Sequence, residues 1–346
     1  MNRRDVLTGG TWMAALGLAA RVMPLRAQAA PAAPQGGAAP RPAPKGTTLV
    51  LLGTQGGPGI SLGRGEAANA VVVDGQPYLV DCGYGTLRAL VQTGIRPAEV
   101  AHIWLTHLHN DHTADVAALL SHQMTGGRPP STTVFGPFGT TDLVKGAIAF
   151  FKADVEIRIV DEGRTIRPET LFTGRDLQAS ARPVEVFRDE RVTVTAVENA
   201  HFPDRAKARM PYRSLAYRFD TATRSIVFSG DTAPSPGLVE LARNADLFVC
   251  EAMDVAQHAR LAEQARHAVA AGNENSVARH VAETHSTTED VGRMAAEAKV
   301  KTVVLSHLLP GSNQGPGGEL PDTAYIEAVR KFFDGQVIVG RDQMRL

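Results

Sequence analysis

Residues Thr106 to His112 read THLHNDH, which puts His107, His109, Asp111 and His112 within six consecutive positions. The apolar residues Ile103, Trp104 and Leu105 come just before, so the cluster falls where a strand ends and the chain turns. A strand end followed by a tight turn can aim several side chains at one point without backbone strain. Imidazole and carboxylate at this density point to metal ligation, and the number of donors on one short loop points to two ions. Two ions need more ligands than this loop carries.

Candidates for the rest share the same placement. His201 follows VTVTAVENA, Asp231 follows RSIVFSG and His307 follows KTVVLS, each at the end of a β-like run. Any one of them alone reads as a structural residue. Downstream of the H-x-H-x-D-H cluster, the three together match what a two-metal site lacks.

Strand-like runs are expected at 48–53, 69–75, 77–83, 101–107, 132–136, 155–160, 192–201, 213–220, 224–231, 245–252, 301–307 and 336–340. Helical periodicity falls at 85–93, 112–123, 140–152, 235–243, 255–283, 287–298 and 323–333. Early strands follow each other directly and later ones alternate with helices, which indicates sheets covered by helices in place of one doubly wound sheet. The stretch 253–284 reads as a charged helical insertion broken at GNEN, able to cap a pocket mouth. Its histidines, His258, His267 and His280, read as solvated helix residues.

The chain has 346 residues, 43% of them apolar, enough for a substantial core. Its opening, MNRRDVL, then TGGTWMAALGLAA, then RAQAA with Ala27 and Ala29 in A-x-A order, resembles a twin-arginine export signal with Arg3 and Arg4 as the pair. The apolar run is shorter than the ~20 residues of a membrane-spanning helix, so no stable anchor is expected after cleavage, and the mature protein is expected in the periplasm or outside the cell. Arg3, Arg4, Arg21, Arg26 and Asp5 leave with residues 1–29, so of 36 basic and 36 acidic residues 32 and 35 remain, a net charge of −3. That balance offers no global positive field for nucleic acid. Residues 30–46, rich in Ala, Pro and Gly, read as a disordered linker, and the folded domain as 47–346. The two cysteines, Cys82 and Cys250, read as unbridged strand-end fillers.

The order THLHNDH, His201, FSGDT, LSHLLP resembles that of the metallo-β-lactamase-fold hydrolases, over nearly all of 47–346. The resemblance implies an α+β fold, a four-layer αββα sandwich. It also implies that His107, His109 and His201 hold one divalent ion, that Asp111, His112 and His307 hold a second, and that Asp231 bridges them. Zinc suits imidazole and carboxylate donors, with manganese and iron as alternatives. LLGTQGGPG (51–59), VDCGYGT (80–86), CEA (250–252) and ETHSTTEDVGRMAAEA (283–298) resemble the branch containing ribonuclease Z and the arylsulfatase-like hydrolases. In that branch His285 would be a proton donor or phosphate contact and Glu251 would orient it. His285 also reads as a helix N-terminal residue, with Ser286 or Thr287 as cap and Glu289 or Asp290 in the first turn, and the two readings are compatible. Dimers are common in that branch.

The chemistry expected is hydrolysis. Metal ions lower the pKa of bound water from 15.7 to about 7 and can hold an attacking hydroxide beside an ester oxygen. Asp111 is expected to orient or deprotonate that water, and His285, tuned by Glu251, to protonate the leaving oxygen. Asp81 is a candidate partner for a ligating imidazole, or else a cap of the turn DCGYG. The GTQGGPG loop is expected to line the cleft with backbone, and Arg64, Tyr212 and Arg213 to reach the substrate or stay solvated. With a negative mature chain and no Gly- and Lys-rich arm, the expected partner is a small-molecule ester, a phosphodiester or aryl sulfate ester, and not nucleic acid. A lactonase or other acyl hydrolase is the alternative. A tRNA 3′-processing endonuclease and a non-catalytic zinc-binding protein stand behind both.

Overall fold

In order along the chain, the strands are β1 (Thr47–Gly53), β2 (Ala68–Val73), β3 (Gln76–Val80), β4 (His102–Trp104), β5 (Thr132–Gly136), β6 (Phe172–Asp176) and β7 (Val184–Arg188). There follow β8 (Val192–Glu198), β9 (Leu215–Thr221), β10 (Ser225–Phe228), β11 (Leu247–Met253), β12 (Thr302–Leu309) and β13 (Gln336–Val339). The helices are α1 (Thr86–Gln92), α2 (Asn110–Thr113), α3 (Val116–Thr125), α4 (Thr140–Phe150), α5 (Lys152–Asp161) and α6 (Asp204–Lys207). They continue with α7 (Pro236–Ala242), α8 (Val255–Ala270), α9 (Val277–Thr284), α10 (Thr288–Ala298) and α11 (Asp322–Arg330). This computed structural model describes residues 45–126, 131–310 and 320–346. The export signal at 1–29 and nearly all of the linker at 30–46 lie outside the described residues. Among the described residues no helix is long and apolar enough to cross a membrane.

Two sheets carry the molecule. One runs β1-β2-β3-β4-β5-β6, the other β13-β12-β11-β10-β9-β8-β7. In each, about half the strands pair antiparallel and half parallel, with β3 to β6 and β10 to β13 forming the parallel halves. Alternation along the strands sends one face of each sheet to the interior between them. There Leu49, Leu51, Tyr78 and Trp104 of the first sheet meet Val194, Tyr217, Phe219 and Phe228 of the second. Burying each large apolar side chain stabilises the fold by roughly 1.5–3 kcal/mol. The outer face of the first sheet packs on Leu90, Leu119, Leu120 and Val144 from the helices that cover it, and that of the second on Leu238, Val291, Met294 and Val329. The layers are therefore helix, sheet, sheet, helix, as expected.

One expected strand is a helix. Residues 155–160, VEIRIV, alternate as a half-buried strand would, yet they lie in α5. Only Val155 of this helix is buried, leaving Ile157 and Val160 in solvent, while Arg158 bonds Asp154 and Glu162 at the i,i+4 spacings that support a helix. The free edge of β5 that such a strand would need is taken by β6. The strands β6 and β7, which the sequence reading missed, are the outermost strands of their sheets. The expected long helix at 255–283 is the pair α8 and α9, broken at the GNEN segment.

Candidate metal centre

The donors come from strand ends on both sheets. His107 follows β4, His109 stands at the N-terminus of α2, and Asp111 and His112 lie within it. His201 follows β8, Asp231 follows β10, and His307 lies in β12. His307 is an irregularity with a purpose. Between Glu251 and Ala252 the pairing of β11 with β12 skips this one residue, and its φ is 46°, left-handed backbone rare for a non-glycine. The bulge turns a side chain of a buried strand into the site.

Four overlapping groups of donor atoms lie within 4.8 Å of one another, among them His201, His280 and His285, and Asp231, Glu251, His285 and His307; the other two hold the donors expected from the sequence. His107, His109 and His201 form the first, and Asp111, His112, Asp231 and His307 the second. Nδ1 of His109 lies 3.0 Å from Nε2 of His107 and 3.2 Å from Nε2 of His201. In the second group, Oδ1 of Asp231 lies 3.3 Å from Nε2 of His112 and 3.2 Å from Nε2 of His307, while its Oδ2 is 3.9 Å from Nε2 of His107. One carboxylate thus faces both groups, one oxygen to each. Asp111 Oδ2 completes the second group at 3.5 Å from His112 and 3.3 Å from His307.

The surroundings turn the right atoms inward. His112 Nδ1 donates to Asp81 Oδ2 at 2.9 Å, and Asp81 also accepts the Thr106 N–H at 2.8 Å and the Thr106 hydroxyl. Asp81 therefore partners a site imidazole and does not cap its turn. His107 Nδ1 faces Thr106 Oγ1 at 3.2 Å, and His201 Nδ1 faces the Thr284 carbonyl at 3.4 Å. An oxygen at Nδ1 fixes the tautomer that leaves the Nε2 lone pair for the site. Gly57 backs the second group, since a Cβ there would stand 1.8 Å from Asp111 Oδ2. The glycine loop does line the cleft with backbone.

Charge and satisfaction both fit divalent ions. His112 Nε2 and Asp231 Oδ1 are buried and lack a hydrogen-bond partner among the described residues, although they lie close together. Converging lone pairs without hydrogen-bond geometry are what a cation satisfies. Burial, then the neighbouring imidazoles, drive the pKa of His107 well below the ordinary value, and burial lowers that of His109, so the first group is neutral and ready to ligate. Burial opposes charge on His307 as well, but Asp231 and Asp111 override it and bring its pKa to about 9; the carboxylates raise His112 in the same way. Burial likewise works against the Asp111 carboxylate, yet facing His112 and His307 hold it at about 2. Protons on two imidazoles here balance two buried carboxylates, a charge that metal ions would otherwise bring.

Beside the second group lies a carboxyl–imidazole pair. His285 Nδ1 donates to Glu251 Oε2 at 2.6 Å, and Glu251 Oε1 accepts the Thr232 N–H. Burial pushes the Glu251 carboxyl up; burial works against a charged His285, and the Glu251 charge outweighs it, raising that pKa too. The pair therefore keeps a proton past the usual range of either group. Thr287 caps α10 through a box with Asp290, and the Met253 N–H donates to Ser286 O at 2.9 Å, which ties the His285 segment to the strand bearing Glu251. The His285 and His307 rings stack at 5.9 Å.

Arg64 does not stay solvated. It is buried and donates to Thr54 Oγ1 at 2.6 Å and Gly340 O at 2.7 Å, tying the first sheet to the C-terminal strand. Arg213 donates to the Met210 and Tyr212 carbonyls, and Tyr212 packs near Phe138. Cys82 and Cys250 are free and buried, as expected. Of the insertion's histidines, His267 is exposed beside Glu263 and His258 bonds the Ala282 carbonyl. His280 is the exception. It is half-buried against the site, with its ring 5.0 Å from that of His201. Its spacing of five residues before His285, with Thr284 between, was the only trace of this in the sequence. A cavity of ≈790 Å³ edged by Leu62, Tyr84, Arg88 and Gln92 contains none of the donors.

Residues 77–308 match the family model described as a beta-lactamase superfamily domain. The chain belongs to the beta-lactamase superfamily. Within it the likeness is to ribonuclease Z: the protein of that name from Mycolicibacterium gilvum is 28% identical over 301 residues, 86% of this chain and 95% of the relative. Among solved structures, the metallo-beta-lactamase fold protein YhfI from Bacillus subtilis aligns with a TM-score of 0.59 at 18% identity, covering 87% of this chain and 98% of the other. Human tRNase Z, short form, aligns at 0.57 and 22%, covering 86% and 98%. The chain is a metal-dependent hydrolase of ester bonds with the metallo-β-lactamase fold.

These relatives correct one expectation. A small-molecule ester as partner, with nucleic acid excluded, does not stand beside relatives named as ribonucleases and a structural neighbour named as a tRNase. The error lay in using net charge, a sum over the whole chain, to judge a local surface.

Proposed function

We propose that this chain is a dinuclear phosphodiesterase whose substrates include RNA. His107, His109 and His201 would hold one ion, Asp111, His112 and His307 the other, and Asp231 both, with zinc the ion best suited to this imidazole-rich set. Ions bound there lower the pKa of water and neutralise charge building on an ester oxygen. Asp111, ionised at neutral pH, accepts a hydrogen bond from the attacking water and orients it. His285 delivers its proton to the departing alkoxide, and Glu251 holds the imidazole in place and stabilises its charged form. Burial of this pair excludes bulk water from the proton's path.

The 2.6 Å Glu251–His285 contact beside the donor groups is the observation that carries the reading, because an alkoxide leaving group needs an acid and this pair is one. The test uses the metal-loaded protein on an RNA with a 3′ extension, bis-p-nitrophenyl phosphate, p-nitrophenyl sulfate, a lactone and nitrocefin, each beside His285→Ala. Expected is phosphodiester turnover that chelation abolishes, lowered by the substitution about 10²–10⁴-fold on the RNA, whose alkoxide needs an acid, and less on bis-p-nitrophenyl phosphate, whose phenolate leaves without one. Turnover of the lactone or nitrocefin alone, indifferent to the substitution, would overturn it.

Residues 1–29 are proposed to export the folded enzyme by the twin-arginine route, a reading supported by the Arg3–Arg4 pair, the apolar run and the A-x-A site. Arg3→Lys with Arg4→Lys should hold the protein in the cytoplasm. Unchanged periplasmic recovery would remove the proposal.

A further inference from the structure

The chain leaves the site at Glu251, runs through the α8–α9 pair, and returns to it at His285. On the way back α9 presents an imidazole that neither donor group includes. The His280 ring lies 5.0 Å from that of His201, 5.8 Å from His109 and 6.0 Å from His285, nearly edge-on to each. A ring nitrogen of His280 falls within 4.8 Å of ligand atoms of both His201 and His285.

Its helix is pinned to put it there. Ser276 caps α9 by accepting the Arg279 N–H, the His258 ring on α8 meets the Ala282 carbonyl at 2.9 Å, and Glu283 bonds Arg205 of the segment after His201 at 2.6 Å. The Thr284 hydroxyl donates to the His280 carbonyl at 2.7 Å while the Thr284 carbonyl faces His201. Among the described residues, the only polar contact of the His280 ring is with that same hydroxyl, at 3.5 Å. A half-buried imidazole held this firmly, with almost nothing to bond, is placed for something that arrives.

We infer that His280 is a substrate-contacting residue, donating a hydrogen bond to a non-bridging phosphoryl oxygen of the ester whose leaving oxygen faces His285. A ligand role is the weaker alternative, since His201 already turns its Nε2 to His109 and its Nδ1 to Thr284, leaving no lone pair for an ion between His201 and His280. The inference rests on the phosphodiester reading and deepens it, because the hairpin supplies a phosphate contact that the two donor groups do not.

The experiment compares metal-loaded wild-type protein with His280→Ala and His280→Asn. It reads kcat and KM on bis-p-nitrophenyl phosphate, the inhibition constant of inorganic phosphate, the phosphate-induced shift in Tm, and metal per chain. One hydrogen bond to a charged oxygen corresponds to about ten- to hundredfold in affinity. His280→Ala should raise KM and the phosphate constant by that factor and shrink the Tm shift, with metal content unchanged, and His280→Asn should recover part of the loss. Phosphate affinity equal to wild type would overturn the inference, as would loss of an ion per chain. Wild-type protein inert toward every phosphodiester would retire the functional reading instead, and the phosphate-induced Tm shift would still decide the role of His280.

Discussion

Asp81→Asn tests the second donor group through a residue that touches no ion. In the structure Asp81 accepts from Thr106 N–H at 2.8 Å and from His112 Nδ1 at 2.9 Å. Asparagine keeps an acceptor for Thr106 but turns an NH2 toward His112, so Nδ1 must become the acceptor and the proton moves to Nε2, the atom aimed at Asp231. Loss of such a partner costs about 10–100-fold in metal affinity, or roughly 1.4–2.8 kcal/mol. Alanine would do more. It strands the buried Thr106 N–H and hydroxyl, each at about 1–3 kcal/mol, a large part of the 5–15 kcal/mol that holds a typical domain together. The pair of variants therefore separates two effects. Chelator competition should show the affinity loss in Asp81→Asn, and thermal unfolding of the metal-free proteins should show Asp81→Ala falling well below Asp81→Asn. Metal affinity in Asp81→Asn within twofold of wild type would refute the argument that Asp81 sets the His112 tautomer.

Metal affinity should depend steeply on pH. His307 is raised from the ordinary 6.5 to about 9, so its contribution to metal-free stability is full below 6.5 and lost as pH rises through 9, and an ion must displace that proton. Apparent affinity by chelator competition should rise at least tenfold per pH unit from pH 7 to 9; a flat profile would contradict the charge assignment. Thr287→Ala removes the capping box ahead of α10, at about 1 kcal/mol, and should lower Tm by about 2–4 °C by calorimetry. An unchanged Tm would mean that the cap does not hold the His285 turn. Cys82 and Cys250 are free and fully buried, with burial raising both thiol pKa values, so a thiol reagent should label them only on unfolding. Rapid labelling of the native protein would show that the core around them opens.

What could be read in advance follows from how far apart in the chain the cause of each feature lies. His107, His109, Asp111 and His112 declare themselves within one loop, and His201, Asp231 and His307 share the local signature of a polar residue closing an apolar run. The central strands were legible for the same reason, since alternation and burial are written in each segment. The missed strands, FTGRD in β6 and VEVFR in β7, are sheet edges, where exposure demands charge and so erases the pattern of a strand. VEIRIV misled in the opposite sense, because alternation makes a strand only where a partner edge is free. Arg64 depends on Gly340, 276 positions away, and no local rule reports such a partner. His280 belongs to this last class: its own helix is charged and looks solvated, and only the fold, by returning α9 over His201, turns an ordinary helix residue into part of the site. The proposed metal donors were thus written locally, while the placement of His280 was set by a long excursion of the chain. On that logic, relatives that share the H-x-H-x-D-H loop but lack the α8–α9 excursion should bind metal alike and differ in how tightly they hold phosphate.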